Sequence, residues 1–497
     1  MNRTKNNQPK SGNVNFRHYC VLLLAIALLL GSTLPTFAQS PATGTIYLPL
    51  VTTGETARSV AAPTSDNPMA DLMVRHTLSA VDAPRVMSAS HSPAIGPGLY
   101  ALDGLDPTLP LDDLNTLDKI VGNADFVGLG EPFHTNGGSY QMKHRIFRYL
   151  VEQKGFRVLG FESPFVWVER LDQYLQSCQG PAAAALTGNL FSIFNSTEVA
   201  DLVQWMCEWN QAHPDDRLSV YGFDMQRMAH ENGEAVIAFM QQLGIGADDA
   251  RVIGIRACDG VVETFWPAQP FPQERYDQCQ GALSAVATYF DANEAAIRQQ
   301  TSREALGWAR VHLRSEQSWQ KEIYYFFTDF LTSYGAREVA MPELVQAIRD
   351  IRFPHAKVAL WAHNGHIATN GVNLLFDDEL GGIPTMGDYL KTALGHKYVT
   401  IGLTGYNLSA NWLGANFCGV FQLLGSNAVE TILHNVGPDF LLLDLTPRGN
   451  GQPTLLDSNT TYSITESRQV IVRDTFDALV YMEDSPAMHA LGFAPCP

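Results

Sequence analysis

Basic residues are scarce. Lys and Arg number 33 against 51 Asp and Glu, a formal net charge of −18 over 497 residues. Residues 1–38 hold Arg3, Lys5, Lys10 and Arg17 and no acid, so the remainder stands at 29 − 51 = −22. That balance repels phosphate backbones and anionic lipid surfaces, and no basic stripe offsets it, which excludes nucleic acid as a partner. No cysteine sits in a C-x-x-C pair, so a cysteine zinc site has no support. There is no G-x-S-x-G elbow for a serine nucleophile and no Walker A loop. His230-Glu231 is followed by Glu234 where a second metal-binding His would stand, and Phe133 replaces the third glycine after Gly128-Leu129-Gly130.

Long apolar runs are missing too. Val21–Leu30 is followed by Gly31, Ser32, Thr33 and Pro35, which is too short to span a bilayer. With basic residues up to Arg17 before it and Thr36-Phe37-Ala38 after it, residues 1–38 read as a secretory signal. The expectation is an exported, extracytoplasmic bacterial protein with no integral span once mature. Cleavage leaves Cys178, Cys207, Cys258, Cys279, Cys418 and Cys496, an even count consistent with disulfides, Cys258–Cys279 being a plausible local pair. Residues 39–95, rich in Ala, Ser, Thr and Pro, read as a linker or extension.

From about Leu99 the texture changes. Short runs rich in Val, Leu and Phe recur at Asp125–Leu129, Arg157–Phe161, Leu218–Phe223, Arg251–Ile255, Lys357–Trp361, Tyr398–Leu403, Phe440–Leu445 and Ala478–Tyr481. They read as strands buried on both faces. Between them, Tyr140–Lys154 sets Ile146, Phe147, Leu150 and Val151 on one helical face and stops at Gly155, a capping signal. The alternation predicts an α/β fold with a central, largely parallel sheet flanked by helices over residues 96–490. Residues 281–350 hold no strand pattern and read as an inserted helical subdomain.

In open α/β sheets, functional groups gather where strands end. Four strand ends here carry ionisable groups: Gly130-Glu131-Pro132-Phe133-His134, Gly160-Phe161-Glu162, Gly222-Phe223-Asp224, and Trp361-Ala362-His363-Asn364-Gly365-His366. Together they suggest a His/carboxylate cluster over the sheet edge. In one chemistry His134 is a general base toward water, Glu131 or Glu162 orients it, and His363 or His366 serves the oxyanion or the leaving oxygen. In another, His363 and His366 join a glutamate around a divalent metal that acidifies a bound water. The bland alternatives are a loop stitched by imidazole–backbone hydrogen bonds, and an ion pair of Glu162 with Lys143 or Arg145. A third reading keeps the scaffold as a binding module without catalysis.

The order of these motifs resembles the erythromycin esterase family. Gly130-Glu131-x-x-His134, Lys143 through Glu152 and Gly155 through Glu162 look like its opening segment. Tyr221 through Gln226, Ala362 through His366, Met386-Gly387 and Phe476 through Val480 are similar to its later signatures, in the same order. The resemblance covers about residues 100–485. It implies hydrolysis of a lactone or other small-molecule ester by activated water, without a covalent intermediate and without a cofactor. By position it implies His134 as base, Glu131 as its partner, and Glu162, His363 and His366 completing the site. Lys143 stands where the family usually has arginine, and with Asp224 it is expected on the substrate side; lysine would act there as a point charge. Thr135-Asn136-Gly137-Gly138-Ser139 replaces a charged stretch and reads as more flexible. In the helical insert, Arg337 and Met341 keep a recurring pattern, with Glu338, Pro342 and Leu344 departing from it.

Overall fold

The computed structural model describes residues 94–226, 231–259, 272–326, 328–370, 383–411, 418–446, 455–456, 460–465 and 468–496. The expected signal segment 1–38, and the expected extension as far as residue 93, lie outside the described residues. In chain order the strands are β1 (Ala94–Gly96), β2 (Leu99–Ala101), β3 (Phe126–Leu129), β4 (Val158–Pro164), β5 (Ser219–Asp224), β6 (Val358–Trp361), β7 (Tyr398–Asn411), β8 (Cys418–Phe421), β9 (Phe440–Asp444), β10 (Tyr462–Ile464), β11 (Arg468–Val470) and β12 (Ala478–Ser485). The main sheet runs β1-β2-β9-β12-β7-β3-β6-β4-β5, with β8 paired to the far end of β7. From β12 to β5 every pairing along that order is parallel, while β1, β2 and β9 form an antiparallel flank. The largely parallel α/β expectation therefore holds.

The central strands are buried along their whole length, which is why they read as continuous apolar runs rather than alternating ones. Seven of the eight runs fold as strands. Arg251–Ile255 does not: it lies in the helix Ala250–Asp259, where Val252, Ile255 and Cys258 pack at helical spacing into a core with Val286 and Phe290. A five-residue run is too short to reveal its period, and tertiary packing decided it.

Helix α1 (Gly137–Lys154) starts three residues earlier than its periodicity suggests, because Asn136 accepts the Ser139 N–H at 2.9 Å as N-cap. It ends at Gly155 with φ 74°, as the sequence implies. Its face of Ile146, Phe147, Leu150 and Val151 is fully packed, each such side chain stabilising the fold by about 1.5–3 kcal/mol. The expected flexibility of the Thr135–Ser139 stretch is absent. The Asn136 amide donates to the carbonyl of Ser409 at 2.6 Å, and a Cβ on Gly137 would lie 2.8 Å from the carbonyl oxygen of Ala487. The glycines are there for close backbone approach rather than for motion.

Between β5 and β6 every described secondary-structure element, from Glu231 to Arg352, is a helix. The last two long helices there are α2 (Arg303–Tyr325) and α3 (Phe330–Arg352), which pack on each other and bring α3 against β5. The cysteines pair as Cys178–Cys207, Cys258–Cys279 and Cys418–Cys496, each closing a loop that restricts the unfolded chain. Among the described residues, no helix is long and apolar enough to cross a membrane.

Candidate active site

Parallel pairing places the C-terminal ends of β3, β6, β4 and β5 side by side, so the four ionisable strand ends meet on one edge. Close approach helps. A Cβ on Gly130 would lie 2.0 Å from the Asn364 amide oxygen, and that amide in turn clamps both backbone groups of Leu403. Only glycine lets the loop after β3 meet the loop after β6.

After β3, Glu131 is fully buried and splits its two oxygens. Oε1 meets His134 Nδ1 at 2.6 Å and Oε2 meets Lys143 Nζ at 2.6 Å. Burial alone would raise the Glu131 carboxyl, but the Lys143 ammonium and His134 hold it below the usual carboxylate range. An ionised carboxylate can only accept, so His134 donates its Nδ1–H to Glu131 and Nε2 is the nitrogen left to act as a base. His134 is 12 % exposed, and its Nε2 has no hydrogen-bond partner among the described residues. The following residue, Thr135, takes φ 67°, a left-handed conformation costly for a β-branched side chain. Its N–H is fixed by the Tyr140 hydroxyl at 2.9 Å, which anchors the loop that holds His134.

Lys143 is placed behind Glu131 rather than in front of substrate. Its ammonium also donates to the carbonyl of Ala362 at 3.0 Å and lies 4.6 Å from the Trp361 ring centroid. Burial pulls it down to about 8, with Glu131 opposing that fall. The expected substrate-side contact is thus not what this geometry offers, because the nitrogen is sealed from solvent.

The second group is closed on itself. Glu162, at the end of β4, accepts the backbone N–H of His363 at 2.8 Å, receives Arg337 Nη2 at 2.7 Å and lies 3.2 Å from His366 Nε2. Asp224, at the end of β5, takes the same guanidinium at 2.6 and 3.2 Å. His366 turns Nδ1 to Glu338, whose other oxygen accepts the N–H of Met386 at 2.6 Å. Burial lowers His366, yet Glu338 and Glu162 outweigh it and the neighbouring Arg337, and the imidazole is pushed up to about 9. Glu162 would be raised by burial, but His366 and Arg337 hold it well below the ordinary range.

His363 binds its own loop. Its Nδ1 accepts the N–H of Gly365 at 3.0 Å, and its Nε2 faces the carbonyl of Pro132 at 3.1 Å, so Nε2 carries the proton. The ring centroid lies 5.3 Å from that of His134 and 6.4 Å from that of His366. Both nitrogens are therefore engaged with backbone, which matches the stitched-loop alternative and leaves no lone pair for a metal. Among the described residues no three His, Cys, Asp or Glu side chains are arranged to hold a metal ion, so the residues do not fit the divalent-metal scheme.

The alternative pairing of Glu162 with Lys143 or Arg145 is not formed. Lys143 serves Glu131, and Arg145 forms a buried fork with Asp113 at 2.5 and 2.7 Å. The roles of Arg337, Glu338 and Glu322 were not read from the sequence, since all three reach the edge from the insert. Glu322 Oε1 accepts the Gln226 amide at 2.5 Å, and burial pushes its carboxyl up to about 8. A separate cleft of 670 Å³, lined by Arg303, Arg310, Arg314 and Glu343 among others, shares no residue with this cluster.

The family model for erythromycin esterase matches residues 151–485. Among curated proteins the chain is 25% identical over 312 residues to "Putative hydrolase YbfO" of Bacillus subtilis (strain 168), covering 59% of this chain and 68% of that protein. It is 23% identical over 322 residues to erythromycin esterase type II of Escherichia coli, covering 60% and 72%. Among solved structures, a Bacillus cereus protein superposes with a TM-score of 0.64 at 22% identity over 79% of this chain and 96% of its own. A variant of the erythromycin esterase EreC in its open conformation gives 0.62 at 15% identity, over 77% and 97%.

Proposed function

The chain belongs to the erythromycin esterase family, and on that premise we propose that it is an exported hydrolase opening an ester or lactone with water activated by His134. The observation that carries the reading is the Glu131–His134 pair with its unengaged Nε2. Nε2 takes a proton as the water oxygen attacks the ester carbonyl, and Glu131, already held ionised, stabilises the imidazolium. When the carbon–oxygen bond breaks, the same proton passes from Nε2 to the leaving oxygen. No bond to the protein forms. Lys143 is a positioning residue: it fixes Oε2 of Glu131 so that Oε1 stays on Nδ1. Glu162, Arg337, Asp224 and His366 act through position as well, with Glu162 holding the His363 backbone and His363 holding the carbonyl of Pro132 beside His134.

Export is supported by the basic, then apolar, then small-residue pattern of residues 1–38, and by three disulfides, which persist in oxidising compartments. The test incubates the purified chain with macrolactones and p-nitrophenyl esters, with and without chelator, and follows gain of one water by mass spectrometry. Hydrolysis that survives the chelator is the expected result. Activity lost to chelator and restored by zinc or manganese, or no product from any ester, would overturn the reading.

A further inference from the structure

The residues on both sides of His134 are gripped by two other pieces of the chain. Thr135 holds φ 67°, which a β-branched residue keeps only where its surroundings impose it. Its carbonyl accepts two backbone N–H groups, from Asn411 at the end of β7 at 3.4 Å and from Met488 beyond β12 at 3.0 Å. Asn136 repeats the pattern, its amide nitrogen donating to the carbonyl of Ser409 at 2.6 Å and to that of Pro486 at 3.3 Å. On the other side of His134, the Phe133 ring packs on Phe421 of β8, with centroids 4.8 Å apart. One piece is therefore the end of β7 with β8, where Ser409 faces Val420 and Asn411 faces Cys418. The other is the stretch that follows β12. Pairing between β7 and β12 stops at Leu408 and Ser485, one residue before the carbonyls that Asn136 bridges.

Past that point a covalent bond ties the two pieces together. Cys418 opens β8, and Cys496 lies eight residues beyond Met488; their sulfurs are joined. The remaining bridges lie elsewhere. Cys178–Cys207 joins the end of the helix Phe165–Ser177 to the helix Thr197–Ala212, and Cys258–Cys279 joins two helices of the insert. We propose that the Cys418–Cys496 disulfide is a positioning element of the active site: it locks β8 and the C-terminal stretch around residues 133–136, and so holds His134 in place for the reaction. Activity then depends on that one bridge staying oxidised. The inference rests on the hydrolase reading, which gives His134 its task.

The full chain is compared with Cys418→Ser/Cys496→Ser and with Cys258→Ala/Cys279→Ala, below the Tm of each, on p-nitrophenyl esters. Both pairs lose a bridge and some Tm. The first should lower kcat roughly ten- to a hundredfold with KM little changed, the scale for a displaced catalytic group, while the second leaves kcat alone. Adding Thr135→Gly to the first should restore part of kcat, because glycine adopts φ 67° without being forced. Equal effects of the two pairs on kcat, no effect of the first, or a fall that Thr135→Gly leaves where it is would overturn the inference. Should the first pair fail to fold, graded dithiothreitol on the unaltered chain replaces it. Each dithiol gives two electrons and two protons to one Sγ–Sγ bond, closing to its own cyclic disulfide, and alkylation maps which bridge has opened. The fall in kcat must then track Cys418 and Cys496; any other course overturns the clamp. Hydrogen exchange reads the clamp without turnover, since peptides holding Asn411 and Met488 should exchange faster once the bridge opens. Faster exchange in a chain that hydrolyses no ester sinks the hydrolase reading alone; turnover with kcat and exchange unmoved sinks the clamp alone.

Discussion

Two clusters share one edge of the sheet and solve opposite problems. Around His134, one carboxylate serves one imidazole and one ammonium, and a ring nitrogen is left over. Around Arg337, three carboxylates close on a guanidinium and a charged imidazole, and those groups bond to each other or to backbone. The first can change its protonation state without breaking its hydrogen bonds, because Nδ1 keeps its proton to Glu131 throughout. The second cannot, since removing a charge from any member strands another in the interior, where an unpaired charge is expensive. Both clusters come from the same kind of strand end, so position at the edge does not by itself make a residue chemical. A free valence does.

That contrast can be broken most sharply at His134. His134→Gln should lower kcat about 10²–10⁴-fold, the range for losing a general base, while thermal unfolding stays near that of the unaltered chain. A matching fall in Tm would show the residue to be structural. Next is Arg337→Met, which strands Glu162 and Asp224. It should destabilise by about 3–5 kcal/mol in urea unfolding, and little loss would mean the network is not closed as described. Lys143→Met should cost a comparable amount, because Glu131 is then buried without its cation, whereas Lys143→Arg restores most of it.

A smaller effect follows from pH. The Glu322 carboxyl is raised from the ordinary 4.5 to about 8, so the folded state holds its proton across that window while the unfolded chain has lost it. Stability is undiminished below about 4.5 and falls as pH rises through 8. Glu322→Gln should therefore be more stable than the unaltered chain at pH 8, with the gap closing toward pH 4.5. His366, raised to about 9, pushes the same way, its contribution being present below 6.5 and lost as pH rises through 9. The smallest effect is Asn136→Ala, which removes the N-cap of α1 at about 1 kcal/mol; a larger loss would show that its bonds to β7 and β12 outweigh the cap.

The sheet was legible in the sequence because parallel strands buried on both faces read as unbroken apolar runs, and their ends read as abrupt ionisable residues. Glu131, His134, Glu162, Asp224, His363 and His366 are singled out on that ground, and the structure brings them to one edge of the sheet. Arg251–Ile255 failed because a run of five residues cannot show whether its period is two or 3.6. β1, β2 and β8 escaped because a strand of three or four residues on a flank leaves no pattern. Glu322, and the buried partnerships of Arg337 and Glu338, escape for a different reason. They come from the insert, more than a hundred residues after β4, and a polar residue on a helix looks solvated until the helix is known to be covered on all sides. The substrate-side expectation for Lys143 failed on depth: a sequence shows that a cation is near the site, not which side of the carboxylate it takes.

The measurement closest to the central claim is a single turnover in H₂¹⁸O, with enzyme in excess over a p-nitrophenyl ester or macrolactone that the chain hydrolyses. The product carboxylate is expected to carry ¹⁸O from the first turnover, no label should enter any peptide of the protein, and His134→Gln should abolish incorporation. Label in an enzyme carboxylate, or incorporation unchanged by His134→Gln, would contradict it.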